Sequence, residues 1–188
     1  MRPAEFDRQQ VLVKAMNCFW KQGYQAASMA VLLEAMGISR SSFYNSFGDK
    51  RSLFQDCVAL YAQSAVQLFT VIAQQYHGID ALRQFLLLTL TNEQAIPLKQ
   101  GCLLVSSVSE LSGVDDELRA QVMREFDAVK AAWLVELNKD QLSLDAHQAV
   151  EWVFSLLLGW RLQSQAGSSP EVLNQQINWS LDQLKKSQ

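Results

Sequence analysis

Apolar positions along this chain recur at intervals of three and four residues, and nowhere in a sustained alternation of two, so the pattern predicts helices and no sheet. Leu12, Ala15, Met16, Phe19 and Trp20 share one stripe of a helix expected from about Phe6 to Gln22 and closed by Gly23. Ser28 is placed to cap a short helix with Val31, Leu32, Leu33, Ala35 and Met36 on a broad apolar side, and Gly37 ends it. Ser39 caps a second short helix that Gly48 stops. Asp49 opens a long helix reaching about Tyr76, apolar early at Leu53, Phe54, Cys57 and Val58 and again at Leu68, Phe69 and Ile72. A break at 77–80 precedes a leucine-rich helix from Ala81 to about Thr91, whose neighbourhood ends at Ile96 and Pro97.

The second half of the chain continues in the same period. The run KQGCLLVSSVSELSG reads as a helix ending near Glu110 and Leu111. Asp115, Asp116 and Glu117 put acid at the start of the next helix, where the helix dipole favours it. That helix carries Val122, Phe126, Val129, Trp133 and Leu137 on one face. From Ser143 to Gln165 apolar residues encircle nearly the whole circumference, and such a helix must be covered on every side. Either it is internal to one subunit or a second copy covers it. Ser169, Pro170 and Glu171 form a start signal for a last helix bearing Leu173, Ile177, Leu181 and Leu184 and ending at Lys185 and Lys186. The expected fold is all-α, with about nine helices.

Within this array the stretch Ser28–Lys50 stands out, because two short helices joined by a glycine-containing turn make a helix-turn-helix unit. On its second helix Phe43 and Phe47 lie on one face, while Ser41 and Asn45 lie opposite, flanked by Ser42 and Tyr44. That outer face has hydrogen-bonding groups and no carboxylate, so it can approach base edges and phosphates without repulsion. Arg40 stands at the N-terminal end, where a reading helix meets bases. Lys50 and Arg51 sit in a helix's first turn, where a cation is mildly unfavourable unless phosphates lie near. The net charge of −3 argues against nucleic acid, but its distribution does not: residues 1–55 carry +3 and residues 56–188 carry −6.

The string GISRSSFYNSFGDKRSLF closely resembles the recognition-helix region of the TetR family of bacterial transcriptional regulators. The resemblance extends upstream through FWKQGYQAASM, with Phe19, Gly23, Tyr24 and Ser28 at the family's spacing, and covers roughly residues 5–60. Two departures are Leu33, where alanine is usual, and Ser41, where glycine is common. GCLLV followed by Glu110 and Leu111 also resembles a segment of one branch of that family. The resemblance implies a three-helix DNA-binding domain over 1–55 and a helical effector-binding and dimerisation domain over 56–188. It also implies a homodimer through the 143–165 and 170–186 helices, repression, and an effector pocket. The expected partners are a near-palindromic double-stranded operator and a small molecule of unknown identity. Arg40, Ser41 and Asn45 are the candidates for base contacts, and Ser28, Ser42, Tyr44 and Lys50 for phosphates.

Other chemistry is thinly represented. Cys18, Cys57 and Cys102 are far apart, and His77 and His147 adjoin no carboxylate cluster, so neither a disulfide framework nor a metal site is expected. There is no glycine-rich phosphate loop and no GxSxG elbow, so neither an enzyme nor a cofactor is expected. MRPAEFDRQQ lacks an apolar core, and the apolar run Trp152–Trp160 is too short to cross a bilayer, which points to a cytoplasmic protein without a membrane partner. Cys102 follows Gly101 at an expected helix start, where free N–H groups and nearby Lys99 favour a reactive thiolate. It is a candidate electrophile sensor, with a small core residue as the alternative. Phe69, Phe85, Phe126, Trp133, Trp152 and Trp160 are core aromatics or the lining of an effector cavity. A helical ligand carrier or adaptor that binds no DNA is the alternative reading of the whole chain.

Overall fold

The computed structural model describes residues 6–92 and 101–185, which form nine α-helices. They are α1 (Arg8–Gln22), α2 (Met29–Met36), α3 (Arg40–Phe47), α4 (Lys50–Ala73), α5 (Gly78–Thr91), α6 (Leu103–Leu111), α7 (Asp116–Leu137), α8 (Ala146–Gln165) and α9 (Pro170–Asp182). The all-α expectation holds. The features read at Ile96, Pro97, Lys99 and Lys186 lie outside the described residues.

Most boundaries follow capping chemistry. The Asp7 carboxylate accepts the N–H of Gln9 at 2.9 Å, so α1 starts two residues later than its apolar pattern suggests. Ser28, Ser39 and Ser169 each accept an N–H in the first turn of the helix they precede. α8 begins at Ala146 under an Asp145 cap and not at Ser143, which instead hydrogen-bonds the Leu184 carbonyl. α5 starts at Gly78, inside the expected break, because carboxylates of α7 and its end supply caps. Glu136 accepts from Gly78 N–H at 3.2 Å and Asp140 from Ile79 N–H at 2.7 Å. Burial works against ionisation of Glu136, yet hydrogen bonds from Lys139 and from Gly78 hold its carboxyl below the usual range.

The described residues form two compact units. The first comprises the chain up to Ala62 together with Cys102–Glu125, and the second Gln63–Gly101 together with Phe126 onward. The first unit's core holds Leu12, Ala15, Phe19, Leu32, Met36, Phe43, Leu53 and Phe54. Phe19 and Phe54 meet edge to face at 5.0 Å between centroids. Burying each such ring contributes roughly 1.5–3 kcal/mol. Met16 and Trp20 are only half-buried, while Val11 and Cys18 fill the α1 stripe in their stead.

In the second unit α9 packs against α5 and α8, and α5 against α8. Val129, Trp133, Leu137, Val150, Val153, Leu173, Ile177 and Leu181 are buried there. α8 is covered on one side only. Ala149, Val150, Val153, Phe154, Leu157 and Trp160 are buried, whereas Leu158 and Leu162 face outward, as do Val172 and Trp179 of α9. By length and composition α4 is apolar enough to cross a membrane. Leu53, Phe54, Cys57, Val58 and Ala62 on its first half are nevertheless spent on the first unit's core.

Candidate nucleic-acid interface

The reading surface is built from α2 and α3. Gly37 takes a left-handed φ of 70°, and its N–H bonds back to the Leu33 carbonyl at 2.9 Å, which makes the turn between them short. Leu32 and Met36 of α2 and Phe43 and Phe47 of α3 are buried, so α3 is anchored through its aromatic face. Phe43 and Phe47 stack in sequence, 6.0 Å between centroids.

With that face inward, Arg40, Ser41, Tyr44 and Asn45 all point to solvent. The first turn of α3 is preorganised by one hydroxyl. Ser39 Oγ accepts the Ser42 N–H at 3.1 Å and is hydrogen-bonded to both Ser41 Oγ and Ser42 Oγ at 2.9 Å. The exposed Tyr44 ring packs edge-on against buried Phe43, which fixes the phenol's direction. Ser28 is occupied as the α2 cap, accepting Val31 N–H at 3.3 Å.

The two cations that open α4 have protein partners, which their sequence positions did not reveal. Lys50 Nζ donates to the Gln25 carbonyl at 3.3 Å and lies 4.8 Å from the Tyr24 ring centroid. Partial burial lowers its pKa against the pull of the Glu110 charge. Arg51 is clasped by Asp115 and, at 2.9 Å, by Glu117. Asp115 is held below its usual range by the N–H of Leu118 first and by Arg51 second.

Sequence reasoning placed Glu110 only at the end of a helix and gave it no role. Its carboxylate, at the end of α6, accepts Tyr24 N–H at 2.8 Å and Gln25 N–H at 2.7 Å. Gly23 makes this possible. Its φ of 84° and ψ of 167° belong to a region only glycine occupies readily, and a Cβ there would stand 2.9 Å from Glu110 Oε2. One carboxylate from a distant segment therefore pins the turn that leads into α2.

Of the candidate effector residues, Phe69, Phe85 and Trp133 come together as edge-to-face neighbours, at 5.6 Å and 6.0 Å between successive centroids. Phe126 pairs with Phe154 at 5.0 Å instead, and Trp152 is half-buried. Cys102 is buried at the N-cap of α6, in the first unit, whereas all six candidate aromatics, the buried Trp160 included, belong to the second. Burial raises the pKa of Cys57 and of Cys18. Among the described residues no group of three or more His, Cys, Asp or Glu is placed to hold a metal ion.

A small helix-turn-helix with a buried aromatic face and an exposed polar one defines a nucleic-acid reader. The sequence model of the family described as "Bacterial regulatory proteins, tetR family" matches residues 11–57. The chain is 25% identical over 186 residues to the HTH-type transcriptional repressor ComR of Escherichia coli K12, covering 93% of this chain and 87% of that one. It is 37% identical over 67 residues to the HTH-type transcriptional repressor AcnR of Corynebacterium glutamicum, 36% of this chain and 34% of that one. A cysteine-substituted TetR-family regulator, CifR, solved with 26-base-pair operator DNA, superposes with a TM-score of 0.73 at 26% identity, covering 96% of this chain and 98% of that one. Residues 11–57 carry the DNA-binding segment of the TetR family of bacterial regulatory proteins, and the chain is a DNA-binding transcriptional regulator of the helix-turn-helix type.

Proposed function

We propose that the protein is a cytoplasmic homodimeric repressor that holds a near-palindromic operator and lets go when an effector binds. Residues 1–55 would read DNA, and 56–188 would bind the effector and dimerise. The observation that carries this reading is the outward set Arg40, Ser41, Tyr44 and Asn45 on a helix whose other face is locked by Phe43 and Phe47. Arg40, Ser41 and Asn45 are assigned to base edges in the major groove. Ser28, Ser42, Tyr44 and Lys50 are assigned to phosphates, which fix register without reading sequence. ComR and AcnR are named as repressors, which favours repression.

Dimerisation is supported by the exposed apolar side chains of α8 and α9. Trp179 is 67% exposed and Leu162 68%, and Leu158 of α8 and Val172 of α9 are exposed as well. A second copy's α8 and α9 would complete a four-helix interface, and two-fold symmetry would place half-sites about one DNA turn, ~34–36 Å, apart or at a multiple of that. Induction requires an effector that favours a conformer whose reading helices miss that spacing; equal affinity for both conformers would change nothing. α4, with Leu53 and Phe54 in one core and Phe69 in the other, is the proposed transmitter. The Phe69, Phe85 and Trp133 cluster is the proposed effector contact, with Phe126 and Trp152 as further candidates.

Cys102 is retained as a candidate electrophile sensor. Release from DNA by electrophiles should vanish in a Cys102→Ser variant, and undiminished release would remove it from the scheme. The decisive experiment is to select genomic fragments on the purified protein and measure binding by fluorescence anisotropy against its sedimentation mass. A monomer that ignores every duplex at low salt would leave the carrier or adaptor reading standing.

A further inference from the structure

Two charged side chains are buried among the described residues, Glu136 and Arg161, and the second unit treats them differently. Glu136 has a counter-ion in Lys139 and an N–H donor in Gly78. Arg161 of α8 is 7% exposed and donates from Nη1 to the Thr89 carbonyl at 2.7 Å. No carboxylate among the described residues pairs with it, and its Nε is buried without a partner. Thr89 lies in the last turn of α5, so its carbonyl brings the negative end of that helix, worth about half an elementary charge. Among the described residues only that carbonyl faces the guanidinium, and one neutral carbonyl does not repay the burial of a full charge.

The surroundings are equally short of partners. Thr89 follows Phe85 by one turn of α5, and both are buried, so they share its inward stripe. Phe85 meets Trp133, which is fully buried and whose indole Nε1 also lacks an acceptor. The third buried orphan, Gln176 Oε1, belongs to α9, which packs on α5 and α8. All three orphan side-chain atoms of the described residues thus fall in the second unit's helices, and each calls for a partner. Water satisfies an indole or an amide; it does not neutralise a guanidinium.

We propose that Arg161 is the anchor of an anionic effector, an organic carboxylate with an apolar or aromatic body. The edge formed by Nε and Nη2 matches the two oxygens of a carboxylate, while Nη1 stays on Thr89. The body would lie toward Phe85 and Trp133, whose indole N–H offers a further donor. This rests on reading the second unit as the effector domain, and it adds the chemical class.

The test uses the full-length protein and four acids: benzoate, salicylate, indole-3-acetate and decanoate. Each is paired with its neutral primary amide. Binding is followed by calorimetry and thermal shift, and operator affinity is measured in parallel. At least one acid should bind saturably, at least tenfold more tightly than its amide, and lose at least tenfold in Arg161→Gln. Arg161→Lys, which keeps the charge without the fork, should fall between and guards against a glutamine variant that does not fold. Glu93, four residues beyond Thr89 in sequence, lies outside the described residues; Glu93→Gln should leave acid affinity unchanged. A tenfold gain in that variant would identify Glu93 as the resident counter-ion and overturn the proposal. So would acids and amides binding alike, no acid binding at all, or wild type and both Arg161 variants binding equally. Arg161-dependent binding with no change in operator affinity would uphold the site and sink the induction reading instead.

Discussion

The two units differ in how completely their buried polar side chains are satisfied. In the first, polar groups from separate segments satisfy one another: Arg51 pairs with Asp115 and Glu117, Arg8 with Asp56, and the Glu110 carboxylate accepts from two backbone amides. The second has ion pairs of its own, Arg83 with Asp182 and Lys130 with Glu151, but its helices also hold the three buried side-chain polar atoms that find no partner among the described residues. A surface that must present a fixed set of side chains to a regular helix gains from being over-determined. A core that must admit something else does not, because a fully satisfied interior has no reason to open.

The contrast can be broken at several points. The largest effect is expected from Phe43→Ala in the first unit, where loss of a fully buried ring costs about 3–5 kcal/mol in denaturant unfolding. A cost under 1 kcal/mol would mean that α3 is not held by its aromatic face. Glu110→Ala comes next. Removing a carboxylate that serves two amides should destabilise by about 2 kcal/mol, and operator affinity should fall while acid binding in the second unit stays unchanged. If both fall together, the clasp is general scaffolding and not a brace for the reading helices.

Smaller effects sharpen the division of labour on the DNA face. Asn45→Ala should relax base discrimination at one operator position by roughly 1–3 kcal/mol if the contact is bidentate. Lys50→Ala should weaken binding alike on every sequence and flatten the salt dependence by about one unit of slope. An unchanged slope would show that Lys50 stays on Gln25 and Tyr24 when DNA is bound. The faintest effect concerns acidity. The Asp115 pKa is depressed in the folded state, so its contribution is present above the unfolded carboxylate pKa and is lost as pH falls through the folded one. The difference in melting temperature between wild type and Asp115→Asn should therefore shrink in acid, and a gap that widened would reverse the assignment.

Helix positions were legible because they are set locally. The Ser28 and Ser39 caps, the Gly37 turn and the buried pair Phe43 and Phe47 follow from neighbours within four residues. The polar braces were not, because they join positions far apart: Glu110 reaches across 85 and 86 residues, and Arg51 across 64 and 66. A charged residue in a first turn looks the same in a sequence whether phosphate or carboxylate awaits it. For the same reason Cys102–Glu125 gives no local sign of joining the first unit. Arg161 is hidden differently. At the end of an apolar run it reads as the hydrophilic border of a helix, yet the fold turns it inward.

Gly23 and Glu110 have a hereditary consequence. A side chain at position 23 would strike the carboxylate and strain the backbone at once, while a shorter acid at 110 would leave two amides empty. Drift at either site is thereby hobbled by the other, so in descendants of this gene the two codons should be lost as a pair or kept as a pair.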